Sequence, residues 1–384
     1  MTEKDKKIVK KAFDIARKGL RECYTDEGIL AGKRNFVDYW SWDSFFASLG
    51  SLELGDFDMF EKNIELYLAE QKENGQLPYR IISVNQFLKY LHIKKRFRGP
   101  IPNYNSLFGS PVVDQNLMLP IMMEEYLKYP RGLKFVKKHI EKIELAYSWT
   151  KSLDRDNDNL VEEGLLANWM DHMLKRNKVL ISNVKYHKSM ISLSVIMKAL
   201  GNQERSERYA RQAEKIKKAL YERFWNGHYF IDWIDFKRHF YFDTSANLFA
   251  TLWGVTDKEK TDQILNYTEE KTYKGFVPKA NWPNYPLFLV QPQLLLAGMA
   301  DYAGHRIWIG ALYAKSLFRA GQNKSAEEKI LNIAKNIVKY GTVYELYGGR
   351  GNPASRGLLY TNEVPFAWSC GMFVWASKKI CDFL

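Results

Sequence analysis

Apolar residues recur at three- and four-residue spacing along most of the chain, which is the periodicity of amphipathic helices. The pattern predicts about twelve helices, over residues 3–22, 43–52, 56–71, 114–128, 132–151, 184–200, 202–222, 244–252, 257–269, 303–320, 322–338 and 366–382. Gly201 and Gly321 each separate two of these helices by a very short turn. Helices joined so tightly are expected to pack as antiparallel neighbours.

Longer connections interrupt this pattern at residues 73–113, 154–183, 225–243, 270–300 and 340–365. Such long connections in a compact domain are usually functional. The alternation of short turns and long loops predicts a ring of six inner and six outer helices. The long loops would gather at one mouth of the ring, with small hairpins formed by strand-like pieces such as "HYFIDWI". No Pro/Gly/Ser-rich tract marks a boundary, so residues 1–384 are expected to form one domain.

Composition narrows the class of protein without naming a function. Apolar residues make up 46% of the chain and charged residues 26%, as in ordinary soluble globular proteins. The cysteine count is odd and shows no metal-type spacing, which indicates a reducing compartment. The N-terminal segment is a charged amphipathic helix, not a secretion signal, and no apolar run reaches the roughly 20 residues of a bilayer span. A cytoplasmic location is therefore expected.

The net charge of +13 raises the question of an anionic partner. The lysines are spread along the chain, and the densest basic cluster, at residues 89–100, is interpreted as a solvated loop, with an anionic substrate or surface as the alternative. Neither a nucleic acid nor a membrane is expected as a partner. No glycine-rich phosphate loop and no zinc-type histidine pair occurs, so no cofactor or metal is expected.

One acidic segment resembles the first half of a calcium-binding loop. It carries Asp154, Asp156 and Asp158 at alternate positions. The full pattern requires Gly at its sixth place and Glu at its twelfth, where this chain has Asn159 and Leu165. The segment is therefore interpreted as an acidic turn, with calcium binding as the alternative.

Aromatic residues are unusually frequent and often stand beside polar ones. They make up 15% of the chain, with 11 tryptophans and 23 tyrosines. Typical stretches are "DYWSWDSFF", "NWMDH", "KANWPNYP", "VYELYGG" and "PFAWSCG". Flat aromatic faces beside polar groups suit sugar rings, whose C–H faces stack while their hydroxyls form hydrogen bonds. A cleft for a small carbohydrate is therefore indicated, and an aromatic-rich core is the alternative.

Several segments occur in an order and spacing that is familiar from one group of enzymes. They are "YWSWDSFFASLGSLELGDF", "GLLANWMDHM" followed by "NVKYHKSMISL", "HRIWIGALYAKSLFRAG", "TVYELYGGRGNP" and "LYTNEVPFAWSCGMFVWA". Over about residues 36–376 the chain resembles the glycoside hydrolases of family 63, including mannosylglycerate and glucosylglycerate hydrolases. It is also similar to the glucosidase half of glycogen-debranching enzymes and to trehalases. The resemblance implies an all-α fold, the (α/α)6 barrel or six-hairpin toroid.

The resemblance also implies an inverting mechanism with two carboxyl groups. It assigns Asp171 as the acid and Glu345 as the base. Glu363, which precedes the aromatic start of the last helix, is the rival base, or else it positions water or a sugar hydroxyl. For Glu345 itself, a salt bridge on a loop surface is the alternative without catalysis.

Inversion requires a protonated carboxyl for the leaving oxygen and an ionised one, about 6.5–9.5 Å away, to activate water. The acid must keep its proton near neutral pH, and an apolar wall raises a carboxyl pKa by disfavouring the charged form. Trp169, Met170 and Met173 would form such a wall beside Asp171. In the alternative interpretation, Asp171 caps a helix that starts at His172.

Further residues are assigned to sugar binding. Asp43 would accept hydrogen bonds from two hydroxyls, although it could equally cap the helix that follows it. Trp40 or Trp42 would form a stacking platform, and Arg80 would hold a hydroxyl or a carboxylate such as that of glycerate. The remaining candidates are Gln115, Trp169, Asn183, Tyr186, Arg306, Trp308, Glu363 and Trp368.

The sequence thus predicts an inverting, exo-acting glycoside hydrolase for a small α-glucoside or α-mannoside, with an anionic aglycone such as glycerate as one possibility. Two alternatives stay open, a catalytically inactive sugar-binding protein and a sugar epimerase on the same barrel. A helical scaffold is not supported, because solenoid repeats would show a fixed period and this sequence shows none. The sugar, the linkage and the oligomeric state are not determined by the sequence.

Overall fold

The computed structural model describes residues 1–84, 96–291, 304–354 and 361–381, and most of the basic cluster at 89–100 lies outside these ranges. The described part contains twelve α-helices. In chain order they are α1 Glu3–Glu22, α2 Ser41–Glu53, α3 Phe57–Ala69, α4 Asp114–Tyr126, α5 Gly132–Lys151, α6 Leu180–Ala199, α7 Gln203–Phe224, α8 Thr244–Leu252, α9 Lys258–Tyr267, α10 Ile307–Arg319, α11 Asn323–Tyr340 and α12 Ala367–Cys381. They follow the predicted segments closely, with α6 beginning four residues before its predicted start.

The even-numbered helices form a closed inner ring. Each of α2, α4, α6, α8, α10 and α12 contacts the next one, and α12 returns to contact α2. The odd-numbered helices lie outside this ring, α3, α5, α7, α9 and α11 each against the inner helix that precedes it, and α1 against α12. This arrangement is the (α/α)6 barrel, so the predicted fold class is confirmed.

Burial explains which helices lie inside. Helix α2 is buried continuously from Ser41 to Leu52, as expected for a helix with neighbours on every side. Helix α7, on the outside, buries one stripe that includes Tyr209, Ala213, Ile216 and Leu220 and leaves its charged face to solvent. The periodic apolar pattern therefore marks the outer helices, and the absence of a polar face marks the inner ones.

The centre of the barrel is aromatic and closely packed. The ring of Phe46 stacks on Trp368 at 5.1 Å between centroids and on Phe249 at 5.3 Å. Helices α2 and α12 approach each other backbone to backbone, since a Cβ added to Gly50 would lie 2.6 Å from the Cα of Gly371. Glycine is needed at this crossing because any side chain would push the two inner helices apart.

Eight short strands in the described ranges form three small antiparallel sheets. They are β1 Tyr39–Trp40, β2 Arg80–Val84, β3 Arg96–Asn103, β4 Lys178–Val179, β5 Trp233–Ile234, β6 Arg238–His239, β7 Phe242–Asp243 and β8 Asn281–Trp282. Strands β1, β4 and β7 lead directly into inner helices, so the sheets lie at the mouth formed by the helix N-termini. Of the stretch "HYFIDWI", only its last two residues form a strand, and that strand pairs with both β4 and β6.

No helix among the described residues is both long enough and apolar enough to cross a membrane.

Candidate active site

A pocket opens at the N-terminal mouth of the inner helices, and we refer to it as the inner pocket. It holds about 440 Å³ of space outside the protein atoms, part of which is open to solvent. Its walls are formed by Phe36, Trp40, Trp42, Asp43, Trp169, Asp171, Arg306, Trp308, Glu345, Phe366 and Trp368. Five tryptophans and three carboxyl groups therefore meet in one cavity.

The barrel places these side chains where loops run into inner helices. Trp40 is the N-cap residue of α2, and Asp43 stands in its first turn. Arg306 is the N-cap residue of α10, followed by Trp308 in the first turn. Trp368 is the second residue of α12. Three inner helices therefore bring their N-terminal residues to the same pocket.

The tryptophans form a packed wall on one side of the pocket. Trp308 stacks on Trp368 at 4.2 Å between centroids, and Trp169 meets the edge of Trp308 at 4.9 Å. Within the described ranges, the indole N–H groups of these three residues and of Trp40 are buried and meet no acceptor. Such donors cost free energy unless a ligand satisfies them, so the wall offers hydrogen bonds as well as stacking surface.

Asp171 lies in a turn of the loop between α5 and α6, and no helix begins at His172. The alternative of a helix cap is therefore wrong. Burial and, after it, the negative charge of Glu345 raise the pKa of Asp171 to about 7, while Arg306 and Arg80 oppose the shift. The carboxyl group consequently retains its proton close to neutral pH, as a general acid requires.

Two other carboxyl groups share the pocket. Glu345 is 4% exposed, and its backbone N–H donates to the carbonyl oxygen of Glu363 at 3.0 Å. Burial, together with the charges of Glu345 and Asp171, raises the pKa of Asp43 well above its usual range. Asp43 is not the cap of α2, because Trp40 is the N-cap residue of that helix.

A wider outer chamber adjoins the inner pocket and shares Trp40 and Asp171 with it. It encloses about 1000 Å³ and is lined by Trp40, Tyr79, Arg80, Asn103, Asn105, Ser106, Leu107, Gly109, Leu166, Asp171 and Gln291. The guanidinium of Arg80 lies 4.4 Å above the ring of Trp40, and its Nε donates to Asp38 at 3.1 Å. Asp171 thus lines both compartments.

Three predicted binding residues lie outside both compartments and serve the fold. Gln115 donates to the carbonyl oxygens of Leu77 and Val112, both at 2.8 Å. Asn183 accepts from the backbone N–H of Val161 at 2.7 Å. Tyr186 is buried away from the two compartments.

Glu363 also lies outside the inner pocket, contrary to both roles considered for it. Its carboxylate is fully buried and accepts hydrogen bonds from consecutive backbone N–H groups. These are Lys33 at 3.0 Å, Arg34 at 2.8 Å, Asn35 at 2.5 Å and Phe36 at 2.9 Å. A Cβ at Gly32 would lie 2.3 Å from its Cγ, so glycine lets the chain wrap around the carboxylate. Glu363 therefore fixes the turn that delivers Phe36 to the pocket.

The sequence analysis missed several lining residues. Phe366 lies within a motif already singled out, Phe36 stands two residues before another, and Tyr79 directly precedes Arg80, so their neighbours offered a signal. Gln291, Asn103 and Asn105 come from segments without any recognisable motif, and only the tertiary fold brings them to the chamber that Asp171 also lines.

The acidic turn at Asp154, Asp156 and Asp158 brings its carboxylate oxygens within 4.8 Å of one another. The ammonium group of Lys178 contacts Asp156 and also donates to Asp158 at 2.7 Å. Lys178 therefore offsets part of the negative charge of this turn.

Comparison with known families identifies the class of protein. Residues 6–274 match the family model described as the bacterial alpha-L-rhamnosidase six-hairpin glycosidase domain. The chain belongs to this family of six-hairpin glycosidases. It is accordingly a glycoside hydrolase, and the twelve-helix barrel and the carboxyl-lined pocket agree with that class. No curated protein matches the chain by sequence.

Several solved structures have the same fold as this chain. A glycoside hydrolase family 63 mannosylglycerate hydrolase from Thermus thermophilus, in complex with Tris, superposes with a TM-score of 0.72 at 14% identity, covering 94% of this glycosidase and 99% of that chain. The same hydrolase in complex with glucose gives a TM-score of 0.70 at 14% identity, covering 95% and 99%. Another glycosidase in complex with glucose gives 0.67 at 12% identity, covering 99% of both chains. At such low identity these matches establish the shared barrel.

Proposed function

We propose that this glycosidase is an inverting, exo-acting hydrolase of a small α-glycoside. The observation that carries the proposal is the position of Asp171, a carboxyl that lines both the inner pocket and the outer chamber, with Glu345 in the same inner pocket. Its raised pKa of about 7 supports the role of an acid near neutral pH. In an exo-acting enzyme the terminal sugar fills the enclosed compartment and the leaving group lies outside it. The glycosidic oxygen would then lie where the two compartments meet, beside Asp171.

Asp171 acts as the general acid. It transfers its proton to the glycosidic oxygen as the bond from that oxygen to the anomeric carbon breaks, and the aglycone leaves as a neutral alcohol. Glu345 acts as the general base and removes one proton from a water molecule that forms the new bond to the anomeric carbon on the opposite face. Asp171 ends ionised and Glu345 protonated, and exchange with solvent restores both.

Asp43 and the tryptophan wall support the choice of a sugar as the ligand of the inner pocket. Asp43 would hold two hydroxyls of the sugar. Trp40, Trp169, Trp308 and Trp368 would present ring faces and indole donors to the same sugar. These groups give both the flat surface and the polar contacts that carbohydrate binding requires.

The aglycone would lie in the outer chamber, and we infer that it is small and polar. Amide and hydroxyl groups of Asn103, Asn105, Ser106 and Gln291 line this space. Arg80 would contribute a cation for an acidic aglycone such as glycerate, although Asp38 already neutralises part of its charge. One structural neighbour supports glycerate as the aglycone, since the Thermus thermophilus hydrolase has a structure in complex with Tris and D-glycerate.

The test is hydrolysis of a panel of small α-glycosides followed by proton NMR. The panel contains mannosylglycerate, glucosylglycerate, kojibiose, nigerose, isomaltose and trehalose, with an aryl α-L-rhamnoside because of the family match. We expect one glucoside or mannoside to be cleaved and the β-anomer of the released sugar to appear first. Initial release of the α-anomer would contradict inversion. Cleavage of the rhamnoside alone would contradict the substrate class, and sugar binding by calorimetry without turnover would favour an inactive binding protein.

The pKa of Asp171 predicts the alkaline limb of the pH profile. The acid works only while protonated, so its contribution is present below its pKa of about 7 and is lost as the pH rises through that value. We expect kcat/KM to fall tenfold per pH unit above this point. The measurement is kcat/KM for the cleaved glycoside across the neutral range in buffers of constant ionic strength. A rate that stays constant well above neutrality would remove Asp171 as the acid.

A further inference from the structure

The loop that carries Asp171 is tied to the barrel by a buried ion pair. Lys175 is 2% exposed, and its Nζ donates to Asp232 at 2.7 Å and lies 3.6 Å from Asp243. Asp232 precedes β5, and Asp243 is the N-cap residue of α8. The ion pair therefore joins this loop to the loop and strands that lead into the next inner helix.

The same ammonium group reaches back along the loop. Its Nζ lies 3.1 Å from the sulfur of Met170, the residue before Asp171. The hydroxyl of Tyr285 donates to Asp232, and its ring lies 4.9 Å below Nζ. Lys175 is thus the common contact of three separate chain segments and of the neighbour of Asp171.

A second buried ion pair holds the other side of the loop. One carboxylate oxygen of Asp114 accepts from the backbone N–H of Trp169 at 3.0 Å and lies 2.9 Å from the Nζ of Lys185. Both partners are fully buried. Asp171 therefore stands between two points fixed by charge, one two residues before it and one four residues after it.

Such ion pairs are costly as a means of stabilising a barrel. Removing two charges from water costs several kcal/mol for each ion, and well-packed apolar residues of similar volume are often as stabilising. Their directional contacts do offer a fixed geometry, which a general acid needs because displacement by about 1 Å can reduce a rate about 100-fold.

We propose that Lys175 is a positioning residue, which acts through its ion pair with Asp232 to hold the Asp171 carboxyl at the glycosidic oxygen. This inference rests on the proposed role of Asp171 as the acid. It predicts a specific defect when Lys175 is replaced, namely a loss of proton donation with the binding of the terminal sugar preserved.

The test compares Lys175→Met with the parent enzyme on two substrates of the same sugar. One is the cleaved natural glycoside, whose alcohol leaving group requires protonation. The other is the glycosyl fluoride, whose weakly basic leaving group requires little help from an acid. We expect kcat on the glycoside to fall on the order of 10- to 100-fold with KM nearly unchanged, while hydrolysis of the fluoride changes by less than about threefold.

Lys188→Met is the matched control. Lys188 is also a buried lysine of the barrel, and it donates to Glu124 at 2.5 Å, away from both compartments. Its loss should lower thermal stability and leave the ratio of the two rates unchanged. Asp232→Asn, which keeps the volume of the side chain, provides a second variant if Lys175→Met does not fold, and it should show the same selective loss.

Equal losses on the glycoside and the fluoride would overturn the proposal, because they would indicate general damage to the site. Parent-like activity of both Lys175→Met and Asp232→Asn would overturn it as well. A failure of the proposed role of Asp171 gives a different result, because Asp171→Asn would then keep the parent rate on the glycoside.

Discussion

Asp171→Asn is expected to reduce hydrolysis of the natural glycoside by about 10²–10⁴-fold, the usual contribution of a general acid. Asparagine nearly preserves the shape of the side chain but has no proton to transfer to the leaving oxygen. The loss should appear in kcat, because the tryptophan wall and Asp43 remain to bind the sugar. The measurement is kcat and KM of the purified variant, with ligand affinity measured by calorimetry.

The leaving group distinguishes an absent acid from a disturbed fold. The glycosyl fluoride should retain most of its rate in Asp171→Asn, and the alkaline limb of the pH profile should disappear. Asp154→Asn, in the acidic turn outside the pocket, should behave like the parent enzyme. Full activity of Asp171→Asn on the glycoside would contradict the assignment, and so would an equal loss on the fluoride.

The fold was predictable because an (α/α)6 barrel repeats one signal. Outer helices such as α7 and α11 show an apolar stripe, the inner helix α10 is apolar over a long stretch, and Gly201 and Gly321 mark short turns between successive helices. The segment predicted at residues 184–200 shows where the apolar periodicity fails to locate the start of a helix. Helix α6 begins at Leu180, but its first turn is buried on all sides and has no periodicity to reveal it.

The inner pocket was predictable where its residues cluster in the sequence. Trp40, Trp42 and Asp43 stand within four residues at the start of one inner helix, so finding that start locates all three. Gln115 and Asn183 also stand near the starts of inner helices, but they face neighbouring loops and bond to backbone groups. The sequence alone does not determine which way a polar side chain turns at a helix that is buried all round.

Glu363 and Lys175 show what the sequence cannot provide. A carboxylate beside an aromatic helix start can bind a ligand or accept hydrogen bonds from backbone N–H groups. Every residue except proline has such an N–H group, so the sequence does not show where these donors will gather. The partner of Lys175 lies 57 residues further along the chain, in a different loop. Both roles follow from the way separate loops meet at the mouth of the barrel.

Glu345→Gln is expected to reduce turnover of the glycoside by about 10²–10⁴-fold as well, because the amide cannot remove a proton from water. Its signature should differ from that of Asp171→Asn. Water must attack whatever the leaving group is, so the glycosyl fluoride should lose as much activity as the glycoside. The measurement is kcat on both substrates, and a fluoride rate close to that of the parent enzyme would contradict the role of base.

The residual activity of Glu345→Gln offers a second, independent test. The charge of Glu345 raises the pKa of Asp171, so removing that charge should lower this pKa and shift the alkaline limb to lower pH. Glu363→Gln is the control, because its carboxylate bonds to backbone N–H groups and lies outside the pocket. It should lower stability and leave the alkaline limb in place. A shift in Glu363→Gln together with an unchanged limb in Glu345→Gln would exchange the roles of the two glutamates.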